Sequence, residues 1–218
     1  MPAAGRLIEV DVARLPGWLD RFAARHGPLT AELAEAEEAP QVVVIIAADG
    51  ARADLAVPYR ALGRSNRPLT DRLIEHVELA RTVGILLVRR SGWAAAVVSD
   101  GVLVAADTGG GYVQGTTKAG GWSQQRYARR RGNQTQQVWD RAADGVAEVF
   151  APHRARIGAV LTGGDRAGVA AVLTDERLAD LAPLVEARFL AIGDPTRTVL
   201  EEVVRRLRSV AITLNELA

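Results

Sequence analysis

The sequence predicts an α/β chain: a mixed β-sheet with flanking helices, preceded by an N-terminal α/β extension. Three observations lead there. Residues 83–89, 92–98 and 102–106 are short apolar runs separated by Arg90-Ser91 and by Ser99-Asp100-Gly101, the rhythm of an antiparallel meander. Residues 123–150 then place Trp139, Ala142, Ala143, Val146, Val149 and Phe150 at helical spacing. After that helix, strand-like and helix-like stretches alternate, which calls for helices on the faces of a sheet. With 218 residues, 48% of them hydrophobic, the chain can bury a proper core. The expected division is an extension over 1–82 packed on a core over 83–218, or one continuous domain.

In order, residues 6–12 alternate as a half-buried strand does, and 15–26 form a short helix stopped by Gly27-Pro28. Residues 29–38 are acidic and read as helical. Residues 41–48 are a β-branched buried strand, Asp49-Gly50 a turn, and 51–57 its hairpin partner. A loop over 58–67 leads to a helix over 69–81. After the meander, residues 112–117 read as a further strand. Ser123 is placed to cap the long helix, and Gly132 is its weak point. A strand over 157–162 ends in Gly163-Gly164-Asp165, which reads as a structural turn. A short helix, a second near 175–182, a strand over 185–191 and a last helix over 195–211 follow. Asp194-Pro195 reads as cap and first helical position, and Val199, Val203, Leu207 and Val210 as the core face of that last helix.

Composition narrows the chemistry. Without cysteine, thiol catalysis, disulfides and Cys-based zinc sites are excluded. His26, His76 and His153 lack ligand spacing and read as structural, so no metal and no cofactor is expected. No leader pattern opens the chain, and the run Val42–Ala48 is too short to span a bilayer, so the expected setting is cytoplasmic, without a membrane, as a monomer. Net charge is only +1, yet residues 108–139 contain no Asp or Glu and carry Lys118, Arg126, Arg129, Arg130 and Arg131. That window holds +5, so the remainder sums to −4. Cationic charge gathered in one place suits phosphates.

The window opens as a glycine-rich loop and continues as the basic start of the long helix. A Walker phosphate cradle fails on spacing, because Gly111 and Gly115 are followed by Thr116-Thr117-Lys118. Ser123 has no nearby base and would be a poor nucleophile. What remains is Gln124, with Gln125 as the rival one residue on. An amide can orient a water or hydrogen-bond a developing charge, which suffices when the substrate is already activated and other groups surround it. Gly120 and Gly121 let such a loop enter a tight space. Arg126, Arg129 and Arg130 fall on one side of a helix, suited to phosphate contacts, and Trp122 is suited to base stacking or to burial.

Gly120-Gly121, a following glutamine, and Arg126-Tyr127-Ala128-Arg129 resemble the GGQ loop and basic helix in the middle domain of eukaryotic and archaeal class I peptide release factors. The order of elements from Val83 to Arg208 is similar, including the Ile157–Asp165 strand and turn. Residue 122 is Trp and the glutamine comes later, so Gly121-Trp122-Ser123-Gln124 resembles more the Gly-x-x-Gln loop of the Vms-like release factors, actinobacterial branch. That resemblance implies an RNase H-like middle-domain fold and a peptidyl-tRNA hydrolase of ribosome quality control. It implies that Gln124, with Gly120 and Gly121, acts on the peptidyl-tRNA ester at the large ribosomal subunit. Lys118, Trp122, Arg126, Arg129, Arg130 and Arg131 would then hold ribosomal RNA or tRNA. Residues 1–82 are not covered by it, and no stop-codon-reading domain is evident, which points to rescue of stalled ribosomes.

Two other readings stand beside it. One is a non-catalytic ribosome- or RNA-binding module. The other is a metal-dependent nuclease drawing on Asp49, Asp100, Asp107 and Asp165, a chemistry that needs clustered carboxylates. The basic window itself makes a prediction: association with ribosomal particles, followed by co-sedimentation, weakens by at least about tenfold between roughly 50 and 200 mM salt. Salt-insensitive association would mean that phosphate contacts do not drive it.

Overall fold

In the computed structural model, the chain folds as two compact units, Met1–Leu79 with Arg205–Ala218, and Ala80–Val204. The described residues are 5–36, 39–110 and 122–218, without the side chains of 35, 36, 39 and 122–133. The strand expected over 112–117 lies outside them.

The first unit is built on an antiparallel sheet. Its strands are β1 (Arg6–Asp11), β2 (Leu29–Ala36), β3 (Ala39–Ala47), β4 (Arg52–Ala56) and β10 (Ser209–Leu214), in the order β1-β10-β4-β3-β2. Helices α1 (Leu15–His26) and α2 (Leu69–Glu78) accompany it. Val43, Ile45, Ala53, Leu55, Val210 and Ile212 form its core with Leu15, Phe22, Leu73 and Val77.

Two expectations fail here. Residues 29–36 are a strand, not a helix. Leu29 and Leu33 both pack on the core, and a spacing of four is compatible with helix and strand alike. Pairing along β3, from Leu29↔Ala47 to Ala34↔Val42, decides it over the helix propensity of Ala, Glu and Leu. Residues 209–211 are likewise strand: α5 (Arg197–Arg206) ends earlier, and Val210, Ile212 and Leu214 alternate into the core. β10 pairs with β1 over Arg6↔Leu214 to Asp11↔Ser209 and with β4 on its other side. The last strand therefore lies in the first unit's sheet.

The second unit holds the mixed sheet, in the order β7-β6-β5-β8-β9. The meander is β5 (Thr82–Arg89), β6 (Gly92–Ser99) and β7 (Val102–Gly110), all antiparallel. β8 (Ile157–Gly164) and β9 (Val185–Leu190) add in parallel beside β5. Helix α3 (Trp122–Phe150) crosses from β7 toward β8, and α4 (Arg166–Leu173) with a 3-10 segment at Glu176–Leu184 joins β8 to β9. Residues Thr82–Val88 and Gly92–Val98 are buried without alternation, as expected for central strands covered on both faces.

α3 is seated by its C-terminal half. Val138, Ala142, Ala143, Val146 and Phe150 are buried against Leu86, Val88, Trp93, Ala95 and Val97. The Trp93 ring occupies the space beside Gly145 and Gly109: a Cβ on Gly145 would stand 1.9 Å from the ring, and one on Gly109 2.3 Å from its Nε1. The residues are glycine because the indole leaves no room for a side chain.

That close approach sets a testable sign. Glycine to alanine inside a helix ordinarily adds about 1 kcal/mol of stability. Gly145→Ala is expected to lower it instead, by about 1–3 kcal/mol of overpacking, seen as a Tm several degrees lower. An unchanged or higher Tm would mean that Trp93 is not the contact that fixes α3.

Candidate functional site

The candidate loop opens from one end of the mixed sheet. β7 runs antiparallel to β6 and β6 to β5, so β7 points the same way as β5, β8 and β9. The pairings Gly110↔Gly92↔Arg89 and Gly109↔Trp93↔Val88↔Gly164 form two rows across that end. Gly110, Arg89, Gly164 and Leu190 therefore finish their strands together. Carboxyl ends of strands are where open α/β sheets present ligand sites, because the turns there are free to diverge.

α3 returns from the same end. Phe150 lies beside Gly84 near the start of β5, while Gly145 meets Trp93, and Trp139 meets Val88 and Gly168, near its finish. Val138 is the first buried residue of α3 among those with described side chains. The backbone nevertheless stays helical from Trp122, through Gly132. At 1.5 Å per residue, the stretch 122–137 adds about 24 Å of helix ahead of Val138. The helix begins one residue before Ser123, which therefore falls in the first turn rather than at the cap.

The base of this projection is braced by charge. Arg177 donates to Asp175 and, through Nη2 at 2.7 Å, to Asp144 on α3. The Asp175 carboxylate also accepts from the Arg177 backbone N–H at 2.9 Å. These contacts, led by the Arg177 side chain, lower the Asp175 pKa to about 2, and both carboxylates raise that of Arg177.

Lys118, Gly120 and Gly121 lie outside the described residues. So do the side chains of Trp122, Gln124, Gln125, Arg126, Arg129, Arg130 and Arg131, whose backbone is the first part of α3. The topology adds three arginines that sequence reasoning did not single out. Arg89 donates to the Ile192 carbonyl at 2.6 Å, Arg90 is exposed in the β5–β6 turn, and Arg166 lies 4.2 Å over the Phe189 ring. None of them pairs with a described carboxylate. Asp165 caps α4 through the Ala167 N–H, and Asp194 accepts from Ser91 at 2.6 Å. Asp194 is thus not the cap expected for α5; Thr196 fills that place by accepting from the Val199 N–H at 3.3 Å. At Gly164, φ is +98° and a Cβ would stand 2.2 Å from the Val88 carbonyl, so the turn that brings Asp165 and Arg166 here requires glycine.

The nuclease carboxylates do not assemble. Asp49 belongs to the first unit, and Asp100, in the β6–β7 turn, lies at the opposite end of the sheet from Asp165. Among the described residues, no three His, Cys, Asp or Glu side chains are grouped to hold a metal. The histidines are engaged: His26 with Asp49 at 2.8 Å, His76 with the Pro58 carbonyl at 2.8 Å, and His153 Nδ1 with Arg156 at 2.7 Å. No helix among the described residues is long and apolar enough to cross a membrane.

A family profile described as Actinobacteria/chloroflexi VLRF1 release factor matches residues 81–213. No curated protein matches. Among solved structures, an archaeal translation termination factor, aRF1, is similar at 13% identity and a TM-score of 0.45, over 88% of this chain and 54% of that one. Dom34 of S. cerevisiae, a translation termination-like factor involved in RNA quality control pathways, is similar at 6% identity and a TM-score of 0.37, over 94% of this chain and 64% of that one. The chain thus spans about half the length of the archaeal factor.

The Arg177 brace makes a pH prediction. Asp175 titrates lower when folded than its ordinary value near 3.9, so its contribution is complete above about pH 4 and is lost as pH falls toward 2. The Tm difference between wild type and Arg177→Ala is expected to be constant from neutral pH to about 5 and to shrink as pH falls through about 2. A difference undiminished at pH 2 would show that Arg177 acts by packing rather than through its carboxylates.

Proposed function

We propose that this chain, which belongs to the Actinobacteria/chloroflexi VLRF1 release factor family, hydrolyses peptidyl-tRNA at the large ribosomal subunit in the rescue of stalled ribosomes. The family match carries this reading, because residues 81–213 contain the whole acid-free window. The architecture supports it. The window is strung between the end of an edge strand and a helix that reaches well beyond its sheet, which suits delivery of a tip into a confined RNA cavity.

In this reading the Gln124 amide oxygen accepts a hydrogen bond from a water and aims it at the ester carbonyl. The water oxygen bonds to that carbon, and the bond from carbon to the ribose oxygen breaks. The ribose oxygen takes a proton, leaving a free tRNA 3′ end and a peptide carboxylate. A backbone N–H of the loop steadies the developing oxyanion. Gly120 and Gly121 allow the close approach, and ribosomal RNA supplies the remaining surroundings, in keeping with a window that carries no acid or base of its own. Lys118, Trp122, Arg126, Arg129, Arg130 and Arg131 grip RNA phosphates and bases. Arg89, Arg90 and Arg166 extend that cationic surface to the sheet end. The mixed-sheet unit, Ala80–Val204, is the part that corresponds to a release-factor middle domain, and the protein works in the cytoplasm as a monomer.

The second reading, a ribosome-binding module without catalysis, rests on Trp122 standing where the strict loop has glycine or glutamine. The two separate on one assay. With peptidyl-tRNA held on isolated large subunits, Gln124→Ala is expected to cut the release rate at least about a hundredfold, the scale of losing one such stabilising group. Subunit binding by co-sedimentation stays near wild type, and Gln125→Ala releases at close to the wild-type rate. Undiminished release by Gln124→Ala would remove that residue from the mechanism, and release lost only in Gln125→Ala would transfer the role.

A further inference from the structure

We infer that the first unit carries a second RNA contact: a seat for a backbone phosphate of single-stranded RNA on the face of α1. A cavity of about 130 Å³ is lined by Arg6 from β1, by Arg21 and Arg25 from α1, and by Trp18, Phe22 and His26. Leu214 and Ala218 complete the lining; every charged side chain in it, His26 apart, is an arginine, and no Asp or Glu side chain is among them. None of the three arginines pairs with a described carboxylate. Asp49, the carboxylate bonded to the lining His26 at 2.8 Å, also accepts from the Ala51 N–H at 2.9 Å.

Helix electrostatics do not account for the cluster. Arg25 and His26 lie in the last turn of α1, where cations complement the dipole, but Arg21 is a turn earlier and Arg6 is on a strand. Three guanidinium groups around one opening repel one another until an anion sits between them. Guanidinium forks match phosphate oxygens in pairs, which favours phosphate over a single carboxylate.

Size selects the form of the ligand. At about 30 Å³ per water, the cavity holds roughly four waters, whereas pockets that bury a drug-sized molecule run to about 300 Å³ or more. A phosphate group fits; a whole nucleotide does not. Beside it runs an aromatic ladder on one face of α1. Trp18 stacks on Phe22 with centroids 5.1 Å apart and planes 16° apart, and Phe22 meets His26 at 4.7 Å. Phe22 is buried while Trp18 is half-buried at the outer end, where an unpaired base next to the seated phosphate can stack. Phosphate seat and adjoining indole together describe one strand of RNA passing over α1. This site does not depend on ester hydrolysis, and its arginines belong to a different unit from α3.

The test measures affinity for a fluorescent single-stranded oligoribonucleotide against KCl concentration, using the full chain. With Arg6, Arg21 and Arg25 all changed to Gln, the slope of log K against log[KCl] is expected to become shallower by about 0.7, the share of one phosphate contact on a single strand. The corresponding Arg→Lys triple variant is expected to recover most of that slope, and Trp18→Ala to weaken binding severalfold with the slope unchanged. All three arginines are exposed, so thermal melts of the variants are expected to match wild type. An unchanged slope in a folded triple-Gln variant would overturn the inference. Tight binding of inorganic phosphate that the triple-Gln variant loses, with no change in RNA binding, would assign the seat to the free anion and overturn it as well. Equal competition by polyglutamate and by RNA of the same charge would point to an acidic peptide instead.

Discussion

The packing of the Trp93 indole against Gly145 and Gly109 is the contact on which the rest of the second unit depends. It presses α3 onto β6 and β7 with no side chain between, and so fixes where along the sheet the helix is held. Among the residues of α3 with described side chains, those from Val138 to Phe150 form its seat, with Phe150 beside Gly84 at one end and Trp139 beside Gly168 at the other. A looser contact would let the helix slide along the sheet. The burial of β5 and β6 on both faces supplies the rigid platform, and the Arg177 bridge to Asp144 and Asp175 supports the base of the projection from the side.

Much of this was legible in the sequence where the signal was local. The meander showed itself by its turns, and the long helix by its spacing. What could not be read was non-local. Leu29 and Leu33 fit either period, so only the partner strand β3 could settle Leu29–Ala36. Residues 209–211 continued a helical pattern of apolar residues, yet β1 and β4, far away in the chain, drew them into a sheet. The cap at Thr196 was missed because Asp194 had a better use, holding Ser91. The candidate loop could be named from composition alone, as an acid-free stretch beside glycines. Its neighbours Arg89, Arg90 and Arg166 could not, because nothing short of the parallel pairing of β5 with β8 brings them to its root.

Charge is distributed with the same economy. A chain of net charge +1 cannot bind RNA by bulk attraction, so its cations must be grouped. One group runs from the window over 108–139 to the sheet end of the second unit. The other surrounds the α1 cavity of the first. Several other arginines are engaged by carboxylates, as in Arg206 with Glu9, Arg52 with Asp54 and Arg197 with Glu201. The two groups both lie beside aromatic rings, Phe189 in one unit and Trp18 in the other.

In the proposed function, this chain brings water to the ester between peptide and tRNA. The most direct measurement is peptide release from peptidyl-tRNA on large subunits in water enriched in ¹⁸O, with mass analysis of both products. Hydrolysis at the ester carbonyl gives a peptide with one ¹⁸O atom in its terminal carboxylate and a tRNA with an intact 3′ end. A peptide that leaves still joined to a nucleotide, or complexes that bind the protein and release nothing, would contradict it.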